Sequence, residues 1–231
     1  MVTDATLAAY QRWASTYPPI AHNPLMRVEE RAMVARWPAV AGKRVLDLAC
    51  GSGRYVRRLI DDGAAQVVAM DFCGPMLEQV SAGDRVRADM TRLPFIDDAF
   101  DVVICALAMG HVADLQALTV QVARVLRPGG TLLYSDFHPD ASRAGLTRSF
   151  RDANDEHCTV PHHCHPVAEQ RAAITAAGLH LDVLHEIRVG EELREAFRGS
   201  APFYQRWHGL PIVLVARATR ALRATPAGGN A

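Results

Sequence analysis

The rhythm of apolar and polar positions changes near Gly42. Before it the spacing is helical. Tyr10, Trp13 and Tyr17 fall at i, i+3 and i+7 and share one helix face. Pro18 and Pro19 stop that helix, and a second is expected over about 24–37, ahead of Pro38. After Gly42 short apolar runs alternate with helix-like stretches. The runs are 43–50 (KRVLDLAC), 66–71 (QVVAMD), 85–89 (RVRAD, the weakest), 99–108, 130–137, 179–187 and 211–218. Helices are expected between them, over about 54–62, 75–82, 114–126 and 166–177. Continuous Val/Ile/Leu runs are what strands covered on both faces require. Their alternation with helices predicts an α/β fold built on a mostly parallel sheet. Neither a repeat nor a linker interrupts 1–231, so one domain is expected, with a helical N-terminal part over 1–40. The tail 224–231 is small and polar and is expected to fray.

Composition narrows the function. Of 231 residues, 49% are hydrophobic, enough for a full core, and 25 Lys plus Arg balance 25 Asp plus Glu. That balance offers nothing to a nucleic-acid backbone. No apolar run approaches the roughly 18 residues of a membrane span, and no signal peptide is evident. Five cysteines without framework spacing favour reduced thiols, hence a cytoplasmic protein. Oligomeric state stays open between monomer and homodimer.

The chemistry concentrates in VLDLACGSGRYVRRL, a strand, a Gly-x-Gly turn and a helix. Glycines let backbone approach a ligand closely, and the helix start presents free N–H groups. The next strand ends at Asp71, 18 residues after Gly53, where a carboxylate can accept both ribose hydroxyls of a nucleoside. A dinucleotide loop wants a third small residue where this chain has Val56, and the first strand carries an acid, Asp47, ahead of the loop. A nucleoside without pyrophosphate fits better, and a nicotinamide enzyme is disfavoured.

DLACGSGRY, MDFCGPML, ADMTRLPF, FDVVICALAMGHV and RVLRPGGTLLYSDF, in order over 43–137, resemble the class I S-adenosylmethionine (SAM) methyltransferase superfamily. The flavour is that of the small-molecule branch with menaquinone-type and malonyl-carrier-protein enzymes. The resemblance implies a Rossmann-like seven-stranded sheet of order 3-2-1-4-5-7-6, last strand antiparallel, helices on both faces and an N-terminal helical lid. It implies SAM as cofactor and S-adenosylhomocysteine as product. Gly51 and Gly53, with Ala49, would let backbone approach the methionyl part, and Asp47 would help hold its amino group. Asp71 would bind the ribose. Asp89 and Met90 would meet the adenine, with Phe72 and Met76 beside it. Cys105, Ala106 and Leu107 would floor the sulfonium, and Tyr10 and Tyr17 would close over it.

The acceptor is expected beyond the carboxyl ends of the fourth to sixth strands, with 138–165 as an acceptor-side insert. His111 follows the fourth strand directly. His165, in CHPVAEQRAAITAAGL, matches a family stretch whose histidine tends to face the acceptor. These two are the candidate catalytic bases, and His163 stands behind His165. Phe137 and the aromatic cluster of Phe203, Tyr204, Trp207 and His208 are candidate pocket walls for a flat acceptor. A helix over 142–151 with Arg143, Arg148 and Arg151 would be a thin basic patch for a carrier protein. His157, Cys158, His162, His163, Cys164 and His165 suggest a metal. However, the two cysteines are separated by five residues, wider than a structural zinc site prefers, so none is expected. The leading expectation is methyl transfer to O or N of a small metabolite, in natural-product (antibiotic) biosynthesis. C-methylation of a quinone, carboxyl methylation of an acyl-carrier substrate, and SAM binding without catalysis are the alternatives.

Overall fold

The computed structural model describes residues 2–197 and 201–222. The expected frayed tail lies outside them. Two N-terminal helices, α1 (Asp4–Trp13) and α2 (Pro24–Val34), precede β1 (Arg44–Leu48). Then follow α3 (Val56–Asp61), β2 (Gln66–Asp71), α4 (Gly74–Leu77), β3 (Asp84–Arg87), β4 (Phe100–Ala106), α5 (Leu115–Val125) and β5 (Leu126–Phe137). After these come α6 (Pro139–Arg143), β6 (Ser149–Arg151), β7 (His157–Thr159), α7 (Val167–Ala176), β8 (Leu179–Arg188), α8 (Ala201–Trp207) and β9 (Pro211–Arg220).

Seven strands form one sheet of order β3-β2-β1-β4-β5-β9-β8. β1 to β5 are parallel, and β9 is antiparallel to both neighbours. This is the expected order once β6 and β7 are counted separately; they pair as a small antiparallel hairpin. Alternate residues of each apolar run serve opposite faces. Leu46, Leu48, Met70, Val103, Leu132 and Tyr134 pack with α5 and α7 residues on one face. Val45, Val67, Ala69, Ile104, Leu133 and Val215 pack with α2 and α3 residues on the other. Asp47 has the parity of Val45 and is therefore buried on the α2 side.

Two expectations change. The 1–40 segment divides: α2 lies in the layer covering the sheet, with Met26, Val28, Ala32 and Met33 buried, while α1 packs beside α4. Residues 142–151 are not a helix: α6 ends at Arg143 and the chain turns at Gly145 (φ +100°) to enter β6. Gly145 supplies a left-handed backbone that a helix cannot hold.

Candidate active site

Strand order reverses between β2-β1 and β1-β4, which opens a crevice at their carboxyl ends. A cavity of about 240 Å³ occupies it, roofed by α1 through Tyr10, Trp13 and Tyr17. Ala49 (φ +56°) and Leu107 (φ +54°), which follow β1 and β4, both hold left-handed backbone and both line the cavity. Such strained positions are kept where the surroundings over-determine them, typically at sites. Gly51 (φ +56°) has open space where a Cβ would stand, with only a Tyr17 ring carbon at 3.9 Å. Gly53 does not line the cavity. Its φ of +88° and the Val80 methyls at 3.2 and 3.3 Å of a would-be Cβ make it a packing glycine.

One half of the cavity is acidic. Asp71 is 6% exposed; its two oxygens accept the Gly51 and Cys73 N–H groups, each at 2.8 Å. Burial raises its pKa, and those backbone bonds oppose the rise. A carboxylate has about four acceptor sites, so Asp71, which lines the cavity, can accept further hydrogen bonds. Asp47 is 2% exposed and its Oδ2 has no partner. Burial pushes its carboxyl up to about 7, against the pull of the Arg54 guanidinium. Phe72 and Met90 line this half. Met76 lies outside the lining, packed in the cluster with Cys73 and Ala14. Asp89 is also outside: its Oδ1 accepts the Thr91 N–H and hydroxyl, both at 2.8 Å.

The other half is donor-rich. Ala106 and Leu107 form its floor, whereas Cys105 is wholly buried behind them. His111 is 5% exposed, with Nε2 2.8 Å from the Tyr10 hydroxyl and Nδ1 toward the Pro161 carbonyl without good hydrogen-bond geometry. Burial, then the charge of Arg148, hold its pKa well below the usual imidazole value. A neutral ring accepts from Tyr10, whose own pKa burial raises. Arg148, far from presenting a surface patch, is 6% exposed. It donates to the Leu107 carbonyl (2.6 Å) and Asp136 (3.0 Å), and its guanidinium sits 4.4 Å from the Phe137 ring centroid.

Four acceptor-side expectations are corrected. His165 is buried but off the cavity: its ring nitrogens meet Glu169 Oε1 (3.0 Å) and the Val112 carbonyl (2.8 Å). Both ring nitrogens are engaged by these partners and the ring does not line the cavity, so His165 is not placed to take a proton from a substrate there. His163 is exposed and off the cavity, tied by its backbone N–H to the Gly110 carbonyl (2.7 Å). Trp207 is buried in the core on the α2 face, and Tyr204 packs against that core while its hydroxyl donates to Glu191; neither lines the cavity. The Phe203 side chain lies outside the described residues. Among the described residues no three His, Cys, Asp or Glu side chains converge as a metal site needs, and no helix is long and apolar enough to cross a membrane.

Sequence reasoning missed Glu29. It is fully buried and accepts from Arg54 (2.7 Å), the Ser135 hydroxyl (2.6 Å) and the Tyr55 hydroxyl (3.3 Å), tying α2, the glycine loop and β5 together. The signal existed: Met26, Glu29 and Met33 share one face, so an acid sits on an apolar stripe. Gly110 is a second such residue. A Cβ there would stand 2.8 Å from the His163 carbonyl oxygen and 3.0 Å from Asp136 Oδ2. Gly110→Ala is expected to cost about 1–3 kcal/mol by overpacking. A melting scan should show a loss of roughly 2–4 °C per kcal/mol; an unchanged melting temperature would show that the 161–165 loop gives way freely.

Residues 46–134 match the model of a methyltransferase domain. A demethylmenaquinone methyltransferase of Clavibacter sepedonicus is 38% identical over 141 residues, 58% of this chain and 56% of that protein. A malonyl-[acyl-carrier protein] O-methyltransferase of Enterobacter lignolyticus (strain SCF1) is 36% identical over 141 residues, 59% and 55% of the two chains. The chain thus spans just over half the length of these two curated relatives. Among solved structures, an S-adenosylmethionine-dependent methyltransferase from Mesorhizobium loti superposes with a TM-score of 0.66 at 25% identity, covering 83% of this chain and 97% of that one. The [4+2]-cyclase SpnF shares the fold alone (TM-score 0.66, 17% identity, 94% and 93% covered).

Proposed function

We propose that the chain is a class I S-adenosylmethionine-dependent methyltransferase, with SAM for cofactor and S-adenosylhomocysteine for product, and that it methylates an O or N atom of a small metabolite. The observation that carries this reading is the polarity of the cavity: two buried carboxylates on one side, neutral and cationic donors on the other. Fold alone does not decide chemistry, but the residues fit this cofactor. The unpartnered Asp47 Oδ2 suits the ammonium of a methionyl group. The remaining acceptor capacity of Asp71 suits two ribose hydroxyls. The open face of Gly51 leaves room for the backbone to approach, and Phe72 and Met90 offer an apolar slot for a base. Bound there, SAM supplies an already activated methyl group.

The chain's own residues then orient the reactants and exclude water. Ala106 and Leu107 floor the reacting centre. Neutral His111 and Tyr10 face it without repelling a sulfonium. The matched segment 46–134 holds the acidic half; α1 and the 138–165 insert, which bound the other half, lie outside it. The two named relatives match over 141 residues, just over half of either chain, and their names support C-methylation of a quinone or carboxyl methylation of an acyl-carrier substrate as the second readings.

Helix α1 is proposed as the lid, held by the β6–β7 hairpin. Trp13 stacks on Phe150 (centroids 4.4 Å, 8° between planes), and Arg12 pairs with Asp152 and Glu156. Trp13→Ala removes a stack worth about 0.5–1.5 kcal/mol beyond its area. Bound SAM should dissociate roughly threefold to tenfold faster in stopped-flow displacement; an unchanged rate would make α1 fixed packing. The reading as a whole is tested by incubating the protein with methyl-labelled SAM and a fractionated metabolite extract. Labelled product and S-adenosylhomocysteine should appear together, one for one.

A further inference from the structure

The reaction leaves Arg148 Nε unexplained. Arg148 lines the cavity, and this nitrogen is buried without a hydrogen-bond partner. The rest of the guanidinium is pinned by the Leu107 carbonyl, Asp136 and the Phe137 ring, and the Tyr10 hydroxyl lies beside it. Asp136 shares its charge with the Gly110 and Phe137 N–H groups. A buried donor left unsatisfied costs about 1–3 kcal/mol, and a fixed guanidinium edge matches an oxygen anion better than any other partner. Leu25, Leu107, Phe137 and Leu146 give the same cavity apolar wall, beside the polar Thr147 and Ser149 that flank Arg148 in the chain. On the same side the Tyr10 hydroxyl engages His111 Nε2 at 2.8 Å.

Resting on the methyl-transfer reading, we propose that the acceptor is an aromatic compound whose nucleophilic oxygen binds as an oxyanion at Arg148 Nε, and that Arg148 is the residue selecting it. The new bond joins that oxygen to the methyl carbon. The carbon–sulfur bond breaks with its electron pair going to sulfur, so the anion and the sulfonium neutralise each other in one step. An acceptor that arrives ionised has no proton to lose. That agrees with a site whose histidine is held neutral by burial and by the neighbouring guanidinium. An amine would bring a positive charge, or as the neutral form only a weak hydrogen-bond acceptor, to Arg148. Phenolates and aryl carboxylates share the oxyanion chemistry.

The test uses the full chain saturated with S-adenosylhomocysteine, titrated calorimetrically with 4-nitrophenolate, benzoate, neutral benzamide and cationic benzylamine. At least one anion should bind tenfold or more tightly than benzamide, and benzylamine should be the weakest. Preference for 4-nitrophenolate assigns a phenol acceptor, preference for benzoate a carboxyl one. Arg148→Met should lose tenfold or more of the anion affinity while binding S-adenosylhomocysteine within about twofold of wild type. If stranding Asp136 unfolds that variant, the pair Arg148→Met with Asp136→Asn replaces it, and Arg148→Lys should recover only part of the affinity. Benzylamine binding as well as benzoate, or full anion affinity in a variant that still binds S-adenosylhomocysteine, overturns the proposal. A wild-type chain that binds no S-adenosylhomocysteine overturns the methyl-transfer reading itself.

Discussion

Asp71→Ala is expected to weaken SAM binding by a factor of about 10² or more. Two ribose hydroxyls would donate to one buried carboxylate, and hydrogen bonds to charged groups contribute about 1.5–3 kcal/mol each. Every 1.4 kcal/mol is tenfold in affinity. The loss is deepened because Asp71 also holds the Gly51 and Cys73 N–H groups that shape the loop. Asp71→Asn keeps an acceptor for one of them and should fall between wild type and alanine. Calorimetry on variants that melt cooperatively reads the effect. An unchanged SAM affinity in folded Asp71→Ala would remove the ribose assignment.

Asp47 should make cofactor binding depend on pH and oppose it in stability. In the ligand-free chain its carboxyl titrates at about 7 because burial penalises the charged form. A bound ammonium favours the carboxylate, so binding below about pH 7 must expel a proton. Affinity should therefore fall up to tenfold per pH unit below 7 and level off above it. Stability of the ligand-free chain runs the other way. A carboxyl with a raised folded-state pKa supports folding fully below its unfolded value of about 3.9 and loses that support as pH rises toward 7. Asp47→Asn should thus raise the ligand-free melting temperature at pH 8, by roughly 2–4 °C per kcal/mol recovered. It should also lower SAM affinity and erase its pH dependence. Titrations in two buffers of different ionisation enthalpy count the protons. No proton release at pH 6 would mean that Asp47 does not meet the ammonium.

The sheet and the acidic half of the cavity were legible because both are local in sequence. Apolar runs marked every strand of the main sheet, and the spacing from the Gly-x-Gly turn to Asp71 placed one carboxylate on the crevice. The donor half was not, because its groups meet through tertiary contacts. Tyr10 reaches His111 across 101 positions, and Arg148 reaches the Leu107 carbonyl across 41. Arg148 read as a surface charge because the sequence suggested a helix over 142–151, where Gly145 turns the chain inward instead. His165 read as a base because its stretch carries that habit; here Glu169, one helical turn on, and the Val112 carbonyl occupy it. Trp207 looked like a pocket wall for want of any signal distinguishing core from site aromatics.

Calorimetric titration of the wild-type chain with SAM, with NADH as the competitor for the same glycine loop, tests the cofactor assignment itself. One SAM should bind per chain, tighter at pH 8 than at pH 6, displaced by S-adenosylhomocysteine and indifferent to NADH. NADH binding more tightly than SAM, or no SAM binding at either pH, would contradict it.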